Sequence, residues 1–158
     1  MKEKIISELL RKVRDELSGV QESLDSSKNL ATDQEFKAEG KYDTRALEAS
    51  YLASAESKRV EELKLEIQIL QEVDLNASQR LGEISIGALV ELSFNHQVRK
   101  YFLIPTSGGS MIEVEGETVL VVSVFSPVGD ALMGLKAGDE FEVETPKENR
   151  HYKVLSFC

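Results

Sequence analysis

The sequence is short of cysteine, tryptophan, proline and long apolar runs. Its 158 residues include one cysteine, three prolines and no tryptophan. A single cysteine, Cys158, cannot form a disulfide within one chain, which excludes a disulfide framework and indicates a reducing cytoplasm. No apolar run approaches the length of a membrane-spanning helix, and the N-terminus lacks the continuous apolar core of a signal peptide. We therefore expect a cytoplasmic protein with no membrane partner.

Basic residues are also scarce relative to acidic ones. The chain has 19 Lys and Arg against 28 Asp and Glu, which gives a formal net charge of −9, and both halves share the acidic excess. Because phosphate binding needs a basic face, we expect no direct binding to duplex DNA. An acidic protein is better suited to a basic surface on another protein.

Apolar residues recur every three or four positions in two parts of the first half. One stripe runs from Ile5 to Leu24, and a second, narrower one runs from Val60 to Leu70. This spacing is typical of helices with one apolar face, and the narrow seam suits contact of the coiled-coil kind. Since each stripe needs a partner, the sequence predicts a long antiparallel helical hairpin over residues 1–76.

The segment between the two helices is predicted to form the tip of the hairpin, near residues 32–43. Thr32 and Glu35 match a capping box, which predicts a short third helix over about 33–39. Gly40 is typical of a helix end. Asp43 can cap the next helix, because its carboxylate can accept hydrogen bonds from the free N–H groups there.

After residue 76 the pattern changes to short, β-branched segments separated by Asn, Pro, Gly and Ser. This predicts a sheet domain of about five strands over residues 79–158, with a boundary near 76–80. One short helix is predicted within 129–140, ended by Gly138. Its packing side chains are predicted to be Ala131, Leu132, Met133 and Leu135. The predicted fold class is therefore α+β.

The run FSPVGDALMGLKAGDEFEVETP, Phe125 to Pro146, closely resembles the C-terminal signature of the bacterial Gre transcript-cleavage factors, GreA and GreB. The resemblance implies a long N-terminal helical hairpin followed by a small FKBP-like β-sheet domain with one short helix. It implies no prolyl isomerase activity. The positions that carry it are Ser126, Pro127, Gly129, Ala131, Leu132, Gly134, Gly138 and Asp139.

The resemblance also implies a partner, RNA polymerase. In the family, the globular domain docks at the secondary channel and the hairpin tip reaches toward the active site. Two acidic tip residues help to hold a second Mg²⁺ for transcript cleavage, because a weakly bound metal needs more than one oxygen ligand. We expect no cofactor or metal in the isolated protein, and only the Mg²⁺ of the polymerase active site is implied. The expected docking residues are Phe125, Ser126, Pro127 and Val128.

The tip departs from the family pattern. A Gre tip reads approximately Gly-Asp-Leu-Lys-Glu-Asn-Ala, whereas this chain reads GKYDTRA from residue 40 to 46. Lys41 and Thr44 stand where the two acids are expected, and Asp43 is the candidate catalytic residue. We therefore predict a modulator of polymerase with weak or no stimulation of cleavage, rather than an enzyme in its own right. The predicted tip residues are Glu39, Gly40, Lys41, Tyr42, Thr44 and Arg45.

Other interpretations of the sequence stay open. Asp43 and Glu39 could form a shifted metal site, or the tip could be only structural. The alternative function is a general coiled-coil module for protein interaction or self-association that does not act on polymerase. A zinc site is not indicated, because His96 and His151 have no further ligands at a suitable spacing. The PTSGGSM run lacks the lysine of a phosphate loop and is better explained as a hairpin loop.

Overall fold

The computed structural model describes residues 1–37, 44–106 and 108–158, with the side chains of 30–37, 44 and 46 excepted. Four helices and six strands occur in this part of the chain. The helices are α1 (Lys2–Lys37), α2 (Thr44–Gln71), α3 (Ala77–Leu81) and α4 (Pro127–Leu132). The strands are β1 (Leu89–Phe94), β2 (Gln97–Ile104), β3 (Met111–Val114), β4 (Glu117–Ser123), β5 (Glu140–Glu144) and β6 (Asn149–Phe157).

The chain divides into two compact units. The hairpin unit is Leu10–Gln68, and the sheet unit combines Met1–Leu9 with Ile69–Cys158. The first residues of α1 and the last of α2 thus belong to the same compact unit as the sheet. The division into independent domains at 1–76 and 79–158 stays a prediction, since compactness does not report which part folds alone.

The hairpin unit consists of α1 and α2 packed antiparallel. Leu24, Ala53 and Val60 form its buried cluster, with Leu17 and Val20 against it. Polar contacts run along the same contact face: Arg59 of α2 donates to Glu16 of α1, and Ser23 of α1 donates to Glu56 of α2. The later residue of α1 meets the earlier residue of α2, as an antiparallel hairpin requires.

The predicted short third helix is wrong over its described part. Residues 33–37 are the last turn of α1, which continues without a break from Lys2 to Lys37. No glycine or proline lies between Val20 and Lys37, so nothing in the backbone ends the helix at the Thr32–Glu35 motif. A capping-box pattern also fits a helix interior, because Glu is a good helix former. The rest of that segment lies outside the described residues.

The sheet unit contains one six-stranded sheet in the order β3-β4-β2-β1-β6-β5. Neighbouring strands are antiparallel except β2 and β4, which are parallel. One face buries Val90, Leu92, Leu103 and Val154, with Leu132 of α4 in the same cluster. The predicted α+β fold class is confirmed, because a helical hairpin is followed by a small sheet domain with a short helix.

The predicted number of strands in the sheet domain differs from the observed one. The sheet has six strands rather than about five, because the run after Ser110 folds into two strands around a turn at Glu115 and Gly116. The five-residue helix α3 was not predicted, and it lies where the boundary near 76–80 was placed.

The predicted helix within 129–140 is displaced. It begins at Pro127 and ends at Leu132, and Gly134 has a φ of 79°, which turns the chain away from the helix. Met133 lies beyond the helix and is 41% exposed, so it does not pack as predicted. Leu132 is fully buried as predicted, and Gly138 occupies the later turn with a φ of 94°.

Within the described residues, no helix combines the length and the apolar character needed to cross a bilayer.

Candidate functional site

The turn between β4 and α4 is fixed by the side chain of Ser126. Its Oγ donates to the carbonyl of Ser123 at 2.7 Å and accepts from the N–H of Gly129 at 3.1 Å. Ser126 is therefore the N-cap of α4, and Pro127 follows in the first turn, where its missing N–H costs nothing. Pro127 therefore begins the helix directly after the turn that ends β4.

Gly129 is required by close packing of the backbone. A Cβ at this position would lie 1.9 Å from the carbonyl oxygen of Ser123, far inside van der Waals contact. Any side chain would push α4 away from the end of β4. The Ser-Pro-x-Gly spacing is therefore a structural device that holds the turn in one geometry.

The four predicted docking residues lie together on this turn with different exposure. Phe125 is 83% exposed, which is unusual for a large aromatic side chain. Pro127 is also exposed, whereas Ser126 and Val128 are half-buried. Val128 packs against the core of the sheet unit. Aromatic side chains are enriched among the residues that contribute most to protein contacts.

A groove of about 530 Å³ opens beside this turn. We call it the Ser-Pro groove. Three segments that are distant in sequence line it: the loop after β2, the turn from β4 into α4, and the end of β5. The lining residues are Gly108, Gly109, Val122, Ser123, Ser126, Pro127, Val128, Val143, Glu144, Thr145 and Pro146.

Both far walls of the Ser-Pro groove are held by their own contacts. A Cβ on Gly108 would lie 2.4 Å from the backbone nitrogen of Ser123, so this glycine packs directly on the strand end. On the opposite wall, Thr145 Oγ1 donates to the carbonyl of Glu148 at 2.6 Å and closes the turn that contains Pro146. The groove is therefore formed before any partner arrives.

The lining of the Ser-Pro groove is apolar apart from a few polar groups. Glu144 is the one charged residue among the lining residues named above, and it is exposed. The hydroxyl of Ser126 is already used within the turn. A partner would meet mainly apolar contact area.

The predicted hairpin tip is only partly described. Thr44 is the first residue of α2, and Arg45 lies exposed in its first turn. The positions of Glu39, Gly40, Lys41, Tyr42 and the candidate catalytic Asp43 lie outside the described residues. Their roles therefore stay predictions from the sequence.

No group of three or more His, Cys, Asp or Glu side chains in the described part of the chain is arranged to hold a metal ion. His151 lies between two carboxylates on the β5–β6 ribbon, 3.1 Å from Glu140 and 3.5 Å from Glu142. His96 is in the β1–β2 turn with a φ of 61°.

Sequence reasoning missed two walls of the Ser-Pro groove. Gly108 and Gly109 were interpreted only as a hairpin loop, and the groove-lining roles of Val143 and Glu144 were not predicted. The only local signal was the paired glycine, which marks a close approach of backbone without saying to what.

The second half of the chain matches a known protein family. The profile of the family described as "Transcription elongation factor, GreA/GreB, C-term" matches residues 77–157, just over half of the sequence. Two proteins named transcription elongation factor GreA, from Orientia tsutsugamushi strains Boryong and Ikeda, are each 51% identical over 35 residues. Each match spans 22% of this chain and 22% of the relative's own length.

Solved structures with similar chains include two described as Gfh1. The GreA factor homolog 1 of Thermus thermophilus is 18% identical, with 94% of each chain covered and a TM-score of 0.37. Gfh1 of Thermus aquaticus is 20% identical, with 93% of this chain and 92% of that chain covered and a TM-score of 0.40.

Proposed function

The chain belongs to the GreA/GreB family of transcription elongation factors, and from that membership we propose that it regulates RNA polymerase during elongation. Its sheet unit docks at the secondary channel, and its hairpin tip reaches toward the active site. It acts as a modulator with weak or no stimulation of transcript cleavage.

The observation that carries the docking part is the exposed, preformed surface around the Ser-Pro turn. Phe125 is 83% exposed, and the adjacent backbone is fixed by the Ser126 cap and by Gly129. A rigid surface loses little conformational entropy on binding, so less of the favourable contact energy is lost to ordering the surface. Aromatic anchors at the centre of a contact commonly carry much of the binding energy.

The absence of cleavage is proposed from the tip sequence. Cleavage in the family depends on two carboxylates that share a metal, and Lys41 and Thr44 replace them in this chain. Two cations, Lys41 and Arg45, flank the remaining Asp43. A nearby positive charge disfavours a bound divalent cation, even when solvent screens part of the effect.

The test is a transcript-cleavage assay on stalled, backtracked RNA polymerase with the full-length protein added. We expect the protein to bind polymerase and to leave the cleavage rate close to the rate without factor. The double variant Lys41→Asp with Thr44→Glu should then gain Mg²⁺-dependent stimulation, because it restores two carboxylates about one turn apart.

A matched variant separates the roles of the remaining acid. If Asp43 only caps α2, Asp43→Ser retains the cap and changes no activity. Strong cleavage by the unmodified protein, abolished by Asp43→Ser, would replace this proposal with the shifted metal site. Failure to bind polymerase would remove the proposal altogether.

A second candidate function is favoured by a specific observation on α2. Leu47, Tyr51 and Leu52 are each more than half exposed, at 54%, 68% and 51%. Such side chains fit a helix that contacts another protein. Sedimentation of the free protein and capture of its partners from extract distinguish the two functions: self-association, or a main partner other than polymerase, supports the interaction module.

A further inference from the structure

The hairpin unit contains a carboxylate at a position where the spacing of its helix calls for an apolar side chain. One stripe along α2 advances by alternating steps of three and four residues, which is the heptad spacing of a coiled-coil seam. Its members are Ala53, Glu56, Val60, Leu63, Ile67 and Leu70. Glu56 is the only charged member of this stripe, and the others are apolar and buried or half-buried.

Two hydroxyl groups of α1 match the carboxylate of Glu56. Ser23 Oγ donates to Glu56 Oε1 at 2.5 Å, and Ser27 Oγ donates to Glu56 Oε2 at 3.3 Å. Ser27 is only 5% exposed, and Leu24, which lies between the two serines in sequence, is buried as well. Both carboxylate oxygens therefore accept a hydrogen bond in a partly apolar setting, where a carboxylate without donors would be costly.

This match is available only when α2 pairs with α1. If α2 paired in parallel and in register with α2 of a second chain, every residue of the stripe would face its own copy. The apolar members would pack, but two Glu56 carboxylates would meet in the seam without the serines of α1. Glu56 is thus the member of the stripe that opposes such a pairing.

We propose that Glu56 determines which helix α2 pairs with. Its carboxylate favours α1 of the same chain, through Ser23 and Ser27, and disfavours α2 of a second chain. A polar residue in a coiled-coil seam lowers stability and in return restricts the choice of partner helix. The inference concerns the assembly of the hairpin and does not depend on polymerase binding.

The experiment compares two substitutions of glutamate by leucine on α2 in the full-length chain. Glu56 lies in the stripe, whereas Glu61 lies outside it and has a side chain that is 75% exposed. Both variants lose one negative charge and gain one apolar side chain. We expect Glu56→Leu to lower the dissociation constant for self-association, measured by sedimentation equilibrium, by about tenfold or more. Glu61→Leu should stay within about twofold of the unmodified protein.

Chemical crosslinking identifies the helices that pair in the Glu56→Leu dimer. Lys58 lies on α2, and its side chain is 81% exposed. In a mixture of isotope-labelled and unlabelled chains, a lysine crosslinker should join Lys58 of one chain to Lys58 of the other, because parallel pairing of α2 brings these residues to the same level.

Removal of the two hydroxyls tests the match with α1. Ser23→Ala together with Ser27→Ala should lower the melting temperature of the otherwise unmodified chain, because the carboxylate loses both donors. The same two substitutions should not lower it in the Glu56→Leu variant, where no carboxylate remains to be matched.

Three results would overturn the inference. Equal self-association of the two leucine variants would show that Glu56 does not select the partner helix, and so would a Glu56→Leu dimer without the Lys58 crosslink. An equal effect of the serine substitutions in both backgrounds would show that the hydroxyls do not act through Glu56. Because polymerase takes no part in these measurements, the proposed function is tested separately.

Discussion

At the scale of single residues, a few backbone and side-chain contacts determine how the Ser-Pro turn is built. The Ser126 hydroxyl accepts a hydrogen bond from the N–H of Gly129 in α4, and the absence of a side chain at Gly129 permits the helix to contact the end of β4. Neither residue needs to contact a partner for its substitution to reduce binding. Substituting Ser126 by a charged residue would therefore remove the cap of α4 as well as change the surface of the turn.

Gly129→Ala should destabilise the sheet unit strongly. The new Cβ would overlap the carbonyl of Ser123, and relief requires α4 to move. We expect a loss of at least about 3 kcal/mol in the free energy of unfolding. Chemical denaturation of the full chain measures it.

Gly19→Ala is the control for this substitution. Gly19 lies inside α1, and a Cβ there meets no atom within 4 Å. Alanine should stabilise the helix by about 0.5–1 kcal/mol. Equal effects of the two substitutions would contradict the packing role of Gly129.

The pKa of the Glu115 carboxyl should lie below its ordinary value of 4.5. The largest cause of the lowered pKa is the hydrogen bond that the Lys4 ammonium donates to Glu115 at 2.6 Å. The second cause is the positive charge of Lys4. Because the folded-state pKa is lowered, this contact contributes stability above pH 4.5 and loses it as the pH falls through the folded-state pKa. Both side chains are exposed, so the contribution is small.

Carbon-13 NMR of the Glu115 carboxyl measures this titration. The midpoint should return toward 4.5 in Lys4→Met, which removes the donor and its charge. An unchanged midpoint in that variant would show that Lys4 does not set the pKa.

At the scale of elements, the apolar side chains of α2 differ in their burial. Ala53, Val60 and Leu63 are buried, whereas Leu47, Tyr51 and Leu65 are more than half exposed. Apolar side chains on opposite faces weaken the amphipathic pattern of the helix, so the contact face is harder to identify from sequence. Polar contacts such as that of Ser23 with Glu56 mark the contact face in the structure.

Leu63→Ala and Leu65→Ala form a matched pair on this helix. Leu63 is fully buried, and Leu65 is 56% exposed. We expect Leu63→Ala to lower the free energy of unfolding by about 2–4 kcal/mol through the lost burial and the cavity left behind. Leu65→Ala should change it by less than about 0.5 kcal/mol. Denaturation followed by circular dichroism measures both, and similar losses would contradict the assigned contact face.

At the scale of the whole molecule, the compact units do not follow the order of the chain. Both ends of the helical region belong with the sheet: Ile5 and Leu70 are fully buried, and Lys2 donates a hydrogen bond to the carbonyl of Leu75. The sheet unit therefore includes the beginning of α1 and the end of α2.

A fragment of residues 79–158 should fold, but with a lower melting temperature than the sheet unit in the full chain. It keeps every strand and the buried cluster around Leu103 and Val154, and it loses the buried groups of Met1–Leu9 and of the end of α2. A fragment of residues 69–158 should recover part of the difference. Absence of a cooperative melt in the shorter fragment would show that the helical ends are required for folding.

The sequence by itself determined the order of the architecture. Apolar spacing predicted the helices of the hairpin, and β-branched segments with turn residues predicted the sheet region, because these patterns reflect the local periods of helix and strand. The Ser-Pro-x-Gly run carried the family resemblance, since each of its residues acts on its immediate neighbours.

Local rules also account for the errors. The extra strand, the short α3 and the displaced α4 concern where elements begin and end, and such boundaries depend on caps and turns that compete over a few residues. The capping-box motif inside α1 is a further example. It is compatible with a helix start and with a helix interior, and in the structure the helix continues through it.

Tertiary structure alone decided the groove. Gly108, Val128 and Glu144 are far apart in sequence. They line one groove because the parallel pairing of β2 with β4 places the loop after β2 beside the start of α4, and because α4 packs against β5. No local pattern encodes that meeting, because it depends on strand order and long-range pairing. The sequence shows which residue types are present, but only the folded chain shows that Glu144 is among the residues that line the groove.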